Sequence, residues 1–301
     1  MRLQSLVQVM LAVLIAIGAG VIVRDTSTDI QADTCTRSAL DAVLGGGVLE
    51  LAPDCVLVVS PAAVVTGEVT IRGGMLHSNG VDRVLIVEAS ARLTLQHVTI
   101  LSGAVELDPA YGGAIYNAGF LHVDHSAIRA NSAEQGGGIY NAESGRVIVT
   151  HSELARNRAR EGGAIYNEGV LVLADSVIDD NSARRRADYG GYGAGIVNRG
   201  RALIVRTRIT DNQGDLEGIG IDNSGWLWMR NSIIAGNRCL SGDSCRGVGV
   251  LRFGGTVDIR QNYWGSADGP GGDGDGSGDS ISGVRARHYL PYLTDLPEWA
   301  R

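Results

Sequence analysis

Apolar and polar residues alternate in short runs that recur along most of the 301-residue chain. Each run carries two apolar residues separated by one other residue: Leu93 and Leu95, Leu121 and Val123, Val147 and Val149, Leu171 and Leu173, Leu227 and Met229, and Val257 and Ile259. Alternation with a period of two is typical of a β-strand that buries one face. No repeated run has helical spacing, so we predict coils built of short strands and turns.

Two series of asparagines mark the period of these coils. The first series steps by 24, 26, 31 and 25 residues and consists of Asn117, Asn141, Asn167, Asn198 and Asn223. The second series steps by 26, 24, 31 and 25 residues and consists of Asn131, Asn157, Asn181, Asn212 and Asn237. Because both series keep one period and share the long step, the chain contains a structural repeat.

A coil of this length is too small to bury its own apolar face, so it must stack on its neighbours. Stacked strands about 4.8 Å apart form a parallel β-helix, and parallel crossovers are overwhelmingly right-handed. We therefore predict an all-β fold: a single-stranded, right-handed, pectate-lyase-like solenoid. The asparagines are expected to adopt the left-handed conformation at bends and to form amide ladders along the axis. The glycine pairs Gly112-Gly113, Gly137-Gly138 and Gly162-Gly163 are expected at the other sharp corner.

The two ends of the chain differ from the repeats. Residues 1–32 are predicted to be a signal peptide or an N-terminal anchor, because an uncharged apolar stretch runs from Leu3 to Val23. Residues 33–55 are predicted to form an N-terminal cap with a short helix, since the apolar residues Ala39, Leu40, Val43 and Leu44 have helical spacing. The β-helix is assigned to residues 56–265. Residues 266–301 are predicted to be a Gly/Asp-rich loop and an apolar tail that covers the other end or lies along the side.

Three segments resemble known families. The repeat GGAIYN-x-G-x-L-x-V-x-x-S-x-I-x-x-NSA resembles that of bacterial right-handed β-helix surface proteins, including polymorphic outer membrane proteins of the chlamydial type. The segment CTRSALDAV, followed by GGGVLELAPD, is similar through Cys35 and Arg37 to the N-terminal cap of exported β-helix proteins named for a Cys-Ser-Leu-Arg-Glu-Ala motif. Residues 262–272, NYWGSADGPGG, resemble the Asn-Trp-Trp-Gly segment that closes such helices. The resemblance spans Cys35 to Leu293 and implies a β-helix fold and export.

Composition narrows the possible functions. The net charge of −7 argues against binding nucleic acid, and all 26 basic residues are Arg, which excludes mechanisms that need a lysine amine. The four cysteines form two local pairs, so Cys35–Cys55 and Cys239–Cys245 disulfides are expected in an exported protein, with other pairings open. We predict a secreted or cell-surface protein that would contact a membrane only through its N-terminal segment, and only where that segment is not cleaved.

One polar column is predicted at the turn that follows the alternating strands. It contains His125, His151, Asp175, Arg206 and Asn231. Two histidines and an aspartate on successive rungs could bind a metal or act as an acid/base pair. The favoured interpretation is that each residue is simply the polar residue before a turn.

Arginines are concentrated where the repeat is interrupted. The extra residues of the long step fall between Asn181 and Asn198 in the segment RRRADYGGYG. The predicted patch consists of Arg158, Arg160, Arg184, Arg185 and Arg186, with Tyr189 and Tyr192 beside them. Such a patch suits an anionic polysaccharide, and the alternative is a solvated loop whose charges only aid solubility.

Several weaker candidates are also present. Asp180 and Asp211 are equivalent positions on neighbouring rungs, with Asp179 beside them, and they would be the acids of a polysaccharide-degrading enzyme. Asp273, Asp275 and Asp279 alternate as in the first half of a calcium loop, but Val284 stands where the loop needs Glu. Trp226 and Trp228 are predicted to share one outward face, as a sugar platform or as a landing site for the C-terminal tail.

The function favoured by these patterns is a non-catalytic extracellular module that binds a polysaccharide or a cell-surface glycan, as in adhesion. No cofactor is expected, with calcium as a minor possibility. The alternative is a polysaccharide lyase or glycoside hydrolase that acts on an acidic polysaccharide.

Overall fold

The computed structural model describes residues 29–30, 35–105, 110–186, 189–241, 245–274 and 276–300. These residues form a mostly β structure, a parallel β-solenoid of about eight turns with one short helix, which confirms the predicted fold class. The predicted signal peptide or anchor lies outside the described residues, apart from the backbone of residues 29–30. Within the described ranges, no helix has the length and apolar character needed to cross a membrane.

Three long parallel sheets form the walls of the solenoid. Sheet A carries the alternating runs and contains β1 (Asp29–Ile30), β2 (Gly47–Glu50), β5 (Glu68–Arg72), β8 (Arg92–Gln96), β11 (Phe120–Asp124), β14 (Arg146–Thr150), β18 (Val170–Ala174), β24 (Arg201–Val205), β28 (Trp226–Arg230) and β32 (Thr256–Asp258). Sheet B follows sheet A in each turn and contains β3 (Val56–Val58), β6 (Met75–His77), β9 (Thr99–Leu101), β12 (Ala127–Arg129), β15 (Glu153–Ala155), β19 (Val177–Asp179), β25 (Arg208–Thr210) and β29 (Ile233–Ala235).

Sheet C carries the Ile-Tyr-Asn segments of the repeat. It contains β4 (Ala63–Val65), β7 (Leu85–Val87), β10 (Ile115–Asn117), β13 (Ile139–Asn141), β17 (Ile165–Asn167), β23 (Ile196–Asn198), β27 (Ile221–Asn223), β31 (Val250–Arg252), β33 (Pro270–Gly272) and β34 (Gly278–Ser282). A short sheet D lies between sheets B and C in the chain and contains β16 (Arg158–Ala159), β20 (Ser182–Ala183), β26 (Gln213–Gly214) and β30 (Arg238–Cys239). The antiparallel hairpin consists of β21 (Arg185–Arg186) and β22 (Tyr189–Gly190).

The register of the sheets stacks like residues on like residues. Leu121 of β11 aligns with Leu93 and Val147 of the neighbouring strands, and all three side chains are fully buried. One continuous apolar core therefore runs along the axis, built almost entirely from aliphatic side chains. Each coil contributes only a few apolar residues, so burial depends on the coils above and below it.

Two amide ladders stand inside this core, as the asparagine periods predict. In the first ladder each Nδ2 donates to the Oδ1 of the next turn, at 2.8, 2.7, 2.7 and 2.6 Å from Asn117 to Asn223. In the second ladder the corresponding distances from Asn131 to Asn237 are 2.9, 3.1, 3.0 and 2.9 Å. All ten side chains are buried, so the ladders satisfy amides that water cannot reach.

The asparagines do not occupy the left-handed positions, contrary to our expectation. In the second series the left-handed residue comes one position earlier, at Ala130, Arg156, Asp180 and Asp211. This residue makes the bend, and the following Asn can then point its amide inward. The glycine corner lies at one aligned position in three turns, because Gly112, Gly136 and Gly162 all have a positive φ; the predicted pair Gly137-Gly138 was therefore one residue too late.

A third ladder, made of hydroxyl groups, is missing from the sequence-based prediction. The backbone N–H of Ser126 donates to Ser152 Oγ at 3.0 Å, and that of Ser152 donates to Ser176 Oγ at 3.3 Å. The same position continues through Thr207, Ser232 and Asn262. These bonds fix the turn between sheets A and B, where the predicted polar column lies.

Both ends of the solenoid are covered. At the N-terminal end, α1 (Arg37–Val43) begins at the N-cap Thr36 and buries Ala39, Leu40 and Val43, as predicted. The Cys35–Cys55 disulfide holds this cap, and the Cys239–Cys245 disulfide is also formed. Two disulfides are typical of domains outside the cytoplasm.

The C-terminal segment covers the last turn. It contains the 3-10 helices η1 (Ala286–His288) and η2 (Glu298–Ala300). Tyr289 is buried in the core, and the Gln261 N–H donates to the Pro291 carbonyl. The segment then runs along the side, where Trp299 Nε1 donates to the Asn231 carbonyl at 3.0 Å. Both of the positions expected for the tail are therefore occupied.

Candidate functional site

One groove on the outside of sheet D is lined by four of the five arginines of the predicted patch. Its volume is about 640 Å³, and its lining includes the four arginines Arg158, Arg160, Arg184 and Arg185 together with Glu134. Two turns supply these arginines: β16 and the residues after it carry the first two, and the residues after β20 carry the others. Stacking thus brings together positions that lie about 25 residues apart in the sequence.

The inserted residues of the long turn form the hairpin at the edge of this groove. Arg185 pairs with Gly190 and Arg186 with Tyr189 in the antiparallel β21–β22 pair. The side chains of Arg186 and Tyr189 lie outside the described residues. Tyr192 forms a parallel bridge with Glu161 of the preceding turn, so the chain returns to the regular path directly after the hairpin.

Acidic residues neutralise part of the groove. Arg160 Nη1 lies 2.8 Å from Glu134 Oε1, and Arg184 Nη1 lies 3.3 Å from Asp215 Oδ1. Asp215 also accepts a hydrogen bond from the backbone N–H of Arg185 at 2.8 Å. The exposed Arg158 guanidinium makes no hydrogen bond or ion pair with the described residues. Positive charge therefore remains in excess in the groove.

The predicted polar column exists, and its members share one backbone conformation. The φ values are +47° at His125, +47° at His151, +51° at Asp175, +43° at Arg206 and +50° at Asn231. Left-handed backbone is tolerated best by Asn, Asp, His and Gly. This constraint explains the polar character of most of the column without any function.

Four of the five members of the column form two separate pairs. Arg206 donates two hydrogen bonds of 2.6 Å to Asp175, from Nε and Nη2. The rings of His125 and His151 stack instead, with centroids 4.6 Å apart, and the His97 ring lies 5.2 Å from that of His125 at an interplanar angle of 36°. Asp175 is thus ion-paired with Arg206 and makes no ion pair with His125 or His151.

A different carboxylate completes the histidine group. Asp124, the last residue of β11, places Oδ2 3.0 Å from His125 Nδ1 and Oδ1 3.4 Å from His151 Nδ1. Burial raises the pKa of Asp124, but hydrogen bonds from Thr150, His125 and His151 outweigh it, so the pKa lies below its ordinary value. Sequence reasoning missed Asp124 and His97, although Asp124 directly precedes His125 at an outward position of the alternating strand.

The weaker acidic candidates have structural partners. Asp180 Oδ2 lies 3.7 Å from Arg156 Nε. Asp279 accepts hydrogen bonds from Asn237 Nδ2 at 2.6 Å and from the N–H groups of Asn237 and Gly236 at 3.1 Å each. Asp273 accepts from the Gly283 N–H, and Asp275 lies outside the described residues. Asp279 thus caps the second asparagine ladder, a role that its spacing in the sequence did not indicate.

Tyrosines form a row on the outer face of sheet C that sequence reasoning did not single out. The ring of Tyr140 stacks on Tyr111, Tyr116 and Tyr166 at 4.5, 5.6 and 5.4 Å, with interplanar angles of 7–11°. Since the ring faces already contact one another, they are not available to stack on a sugar. The Tyr140 hydroxyl donates to Glu168 at 2.6 Å, which fixes the row as a packing element.

A similar apolar row lies on the outer face of sheet A. Trp228 packs at the end of a cluster of Ile148, Val172 and Leu203, and the Arg230 guanidinium lies 4.7 Å from the Trp228 ring. The last residues of the C-terminal tail, Trp299 and Ala300, form hydrogen bonds with Asn231 and Arg208 instead. These hydrogen bonds of the tail are therefore not made at Trp226 and Trp228, where the tail was predicted to pack.

Comparisons with known proteins bear on the fold alone. The family model described as "Right handed beta helix region" matches residues 83–263. No curated protein and no solved structure shows significant similarity to the chain. The matched residues include both asparagine ladders and every strand of sheet D. The chain therefore belongs to the right-handed β-helix family.

Proposed function

We propose that this protein is an extracytoplasmic β-helix module, secreted or held at the cell surface, that binds an acidic polysaccharide in the arginine groove. The observation that carries the proposal is the convergence of four arginines from two turns on one groove of about 640 Å³. The overall charge of −7 would otherwise repel a polyanion, so a local excess of arginine is what would attract one.

The groove has the chemistry for carboxylate or sulfate groups along a glycan. Arginine presents a planar fork of donors that matches such groups in pairs. Arg158 is exposed and supplies donors without first breaking an ion pair among the described residues. Arg160 and Arg184 would have to break their ion pairs with Glu134 and Asp215 to bind the ligand. Because this costs free energy, we predict weak binding.

The resemblance to bacterial β-helix surface proteins and the two disulfides support a location outside the cytoplasm. The alternative, a lyase or hydrolase of acidic polysaccharides, has no comparable support among the described residues. Asp180 is paired with Arg156, and Asp180 and Asp211 both stand at left-handed bend positions that favour Asp for backbone reasons.

Binding should depend on the hairpin arginines. We expect the native protein to bind acidic glycans such as pectate, alginate or chondroitin sulfate on an array at low salt, and to lose most binding at physiological ionic strength because exposed charges are screened. Replacing Arg184, Arg185 and Arg186 by Ser should reduce binding at least tenfold and leave the melting temperature nearly unchanged.

A matched variant separates this effect from loss of charge alone. Replacing Arg92, Arg146 and Arg201 by Ser removes the same charge from aligned exposed positions of sheet A and should leave binding within about twofold. Absent binding at low salt, or equal loss in the two triple variants, would show that the hairpin is only a solvated insertion. Turnover of any of these glycans would favour the enzymatic alternative.

A further inference from the structure

The histidine group on the turn between sheets A and B has the arrangement of a metal site. One ligand atom from each of Asp124, His125 and His151 lies within 4.8 Å of the other two. Zinc bonds of about 2.0–2.1 Å in a tetrahedral site put ligand atoms roughly 3.4 Å apart. Asp124 Oδ2 lies 3.0 Å from His125 Nδ1 and Asp124 Oδ1 lies 3.4 Å from His151 Nδ1, so each carboxylate oxygen is near that spacing from one histidine. A metal ion would lie between the carboxylate and the two Nδ1 atoms and replace their direct contacts.

The backbone holds these ligands at a fixed separation. The N–H of His125 donates to the Thr150 carbonyl at 3.2 Å, and the N–H of His151 donates to the Ala174 carbonyl at 3.3 Å. The hydroxyl ladder through Ser126 and Ser152 pins the residue that follows each histidine. Because both histidines repeat one conformation on adjacent rungs, little chain entropy is lost when a metal orders them.

The surroundings orient the carboxylate and tolerate a cation. Thr150 Oγ1 donates to Asp124 Oδ1 at 2.7 Å and lies 3.2 Å from His122 Nε2, which is the kind of outer hydrogen bond that fixes a metal ligand. The arginines nearby are paired, Arg129 with Glu153 and Arg206 with Asp175.

The site is open on one side. The side chains of His125 and His151 are 50% and 52% exposed, and they line a groove of about 540 Å³ together with His97. We propose that Asp124, His125 and His151 bind one divalent transition-metal ion, of which Zn²⁺ is the representative, and leave a coordination position open to this groove. Imidazole nitrogen selects such ions over Mg²⁺ and Ca²⁺, which prefer oxygen ligands. The site is distinct from the arginine groove and does not depend on the proposed glycan binding.

Calorimetry of the full chain, purified without a polyhistidine tag, tests the site with ZnCl₂. We expect one Zn²⁺ per chain and no comparable heat with MgCl₂ or CaCl₂. Co²⁺ in place of Zn²⁺ should give the intense visible absorption of a tetrahedral site rather than the weak band of the hydrated ion.

The variants H125N/H151N should bind Zn²⁺ at least tenfold more weakly and lose the Co²⁺ band. Asn is native at the same position of the column, at Asn231, with the same left-handed backbone, so this change spares the fold. The isosteric D124N should also weaken binding. H97N is the matched control, since the His97 ring lies beside that of His125 but is not in the ligand group, and it should bind within about threefold of the native protein.

Two results would overturn the proposal. One is the absence of Zn²⁺ binding by the native chain at millimolar metal. The other is binding that persists unchanged in H125N/H151N or is lost equally in H97N, because either outcome would place the metal elsewhere.

Discussion

Single residues in this protein are selected first by backbone conformation and only then by chemistry. One residue in each turn after sheet A is left-handed, and His97, His125 and His151 stand at that position. The column could be predicted from the spacing of the repeats, because it recurs with the period. Asp124 could not, since it belongs to a strand and reaches the histidines only through the geometry of the turn.

The division of the column was equally hidden from the sequence. Asp175 follows His151 by one turn and has the right chemistry for a ligand, but Arg206 on the next turn captures it. A carboxylate can pair with a side chain of the preceding turn or of the following turn, depending on its side-chain rotamer. The spacing of residues in the sequence does not determine that rotamer.

A buried carboxylate on sheet C gives the fold a dependence on pH. Asp222 is 1% exposed, and burial raises its pKa to about 6 against the attraction of Arg199, with Glu161 adding to the rise. The folded state therefore holds a proton more tightly than the unfolded chain does. The stability from this group is complete below the unfolded pKa of about 4 and is lost as pH rises through about 6.

Replacing Asp222 by Asn should remove this dependence. The free energy of unfolding of the variant minus that of the native protein should be higher at pH 7 than at pH 5, by on the order of 1 kcal/mol. Chemical unfolding of both proteins at the two pH values measures this difference. Asp258, whose pKa of about 2 reflects hydrogen bonds from Arg260 and Arg230 that outweigh burial, loses its stabilising contribution only below that window. An identical pH dependence in the two proteins would contradict the assignment to Asp222.

At the scale of elements, the strands and the ladders follow from two periods in the sequence. Alternation gives the inward face of sheet A, and the asparagine steps give the two amide columns, so most of the fold could be predicted. The hydroxyl ladder could not, because Ser and Thr are also ordinary turn residues and a Ser column has no distinctive composition.

The position of an asparagine in its ladder should determine what its loss costs. Asn167 accepts from Asn141 and donates to Asn198, whereas Asn117 begins the column and its Oδ1 has no partner among the described residues. Asn167→Ala should therefore destabilise the fold by about 1–3 kcal/mol, and Asn117→Ala by less, as measured by chemical unfolding. Equal costs would show that the amides contribute by packing rather than by hydrogen bonding.

At the scale of the whole molecule, both ends of the solenoid need a covering segment, because an uncovered end would expose the core. The cap helix protects one end, as its spacing predicts, and Asp279 and the tail protect the other. The part played by Asp279 was not predictable, because the chain passes through a Gly-rich loop before it returns to the ladder.

Removing this carboxylate should loosen the C-terminal turns. Asp279→Ala leaves the backbone N–H groups of Gly236 and Asn237 without acceptors and leaves Asn237 Nδ2 with only the Ile209 carbonyl. We therefore expect a loss of about 1–3 kcal/mol and faster amide hydrogen exchange in β29 and β30. Asp273→Ala removes an exposed acceptor of the Gly283 N–H and is the control, with an expected change under about 0.5 kcal/mol. Comparable exchange in the two variants would argue against a capping role.

The amide ladders also give the molecule a direction. Every bond from one ladder amide to another runs from Nδ2 of one turn to Oδ1 of the next turn toward the C-terminus, so each column is a line of aligned amide dipoles. The second line ends on a carboxylate, the charge that its donor end attracts. A complete coil inserted in the middle of the solenoid would extend both amide ladders and leave the two ends as they are. Duplication of complete coils could therefore lengthen the protein. Insertion of only part of a coil would interrupt the amide ladders. The solenoid can therefore be lengthened only by whole coils.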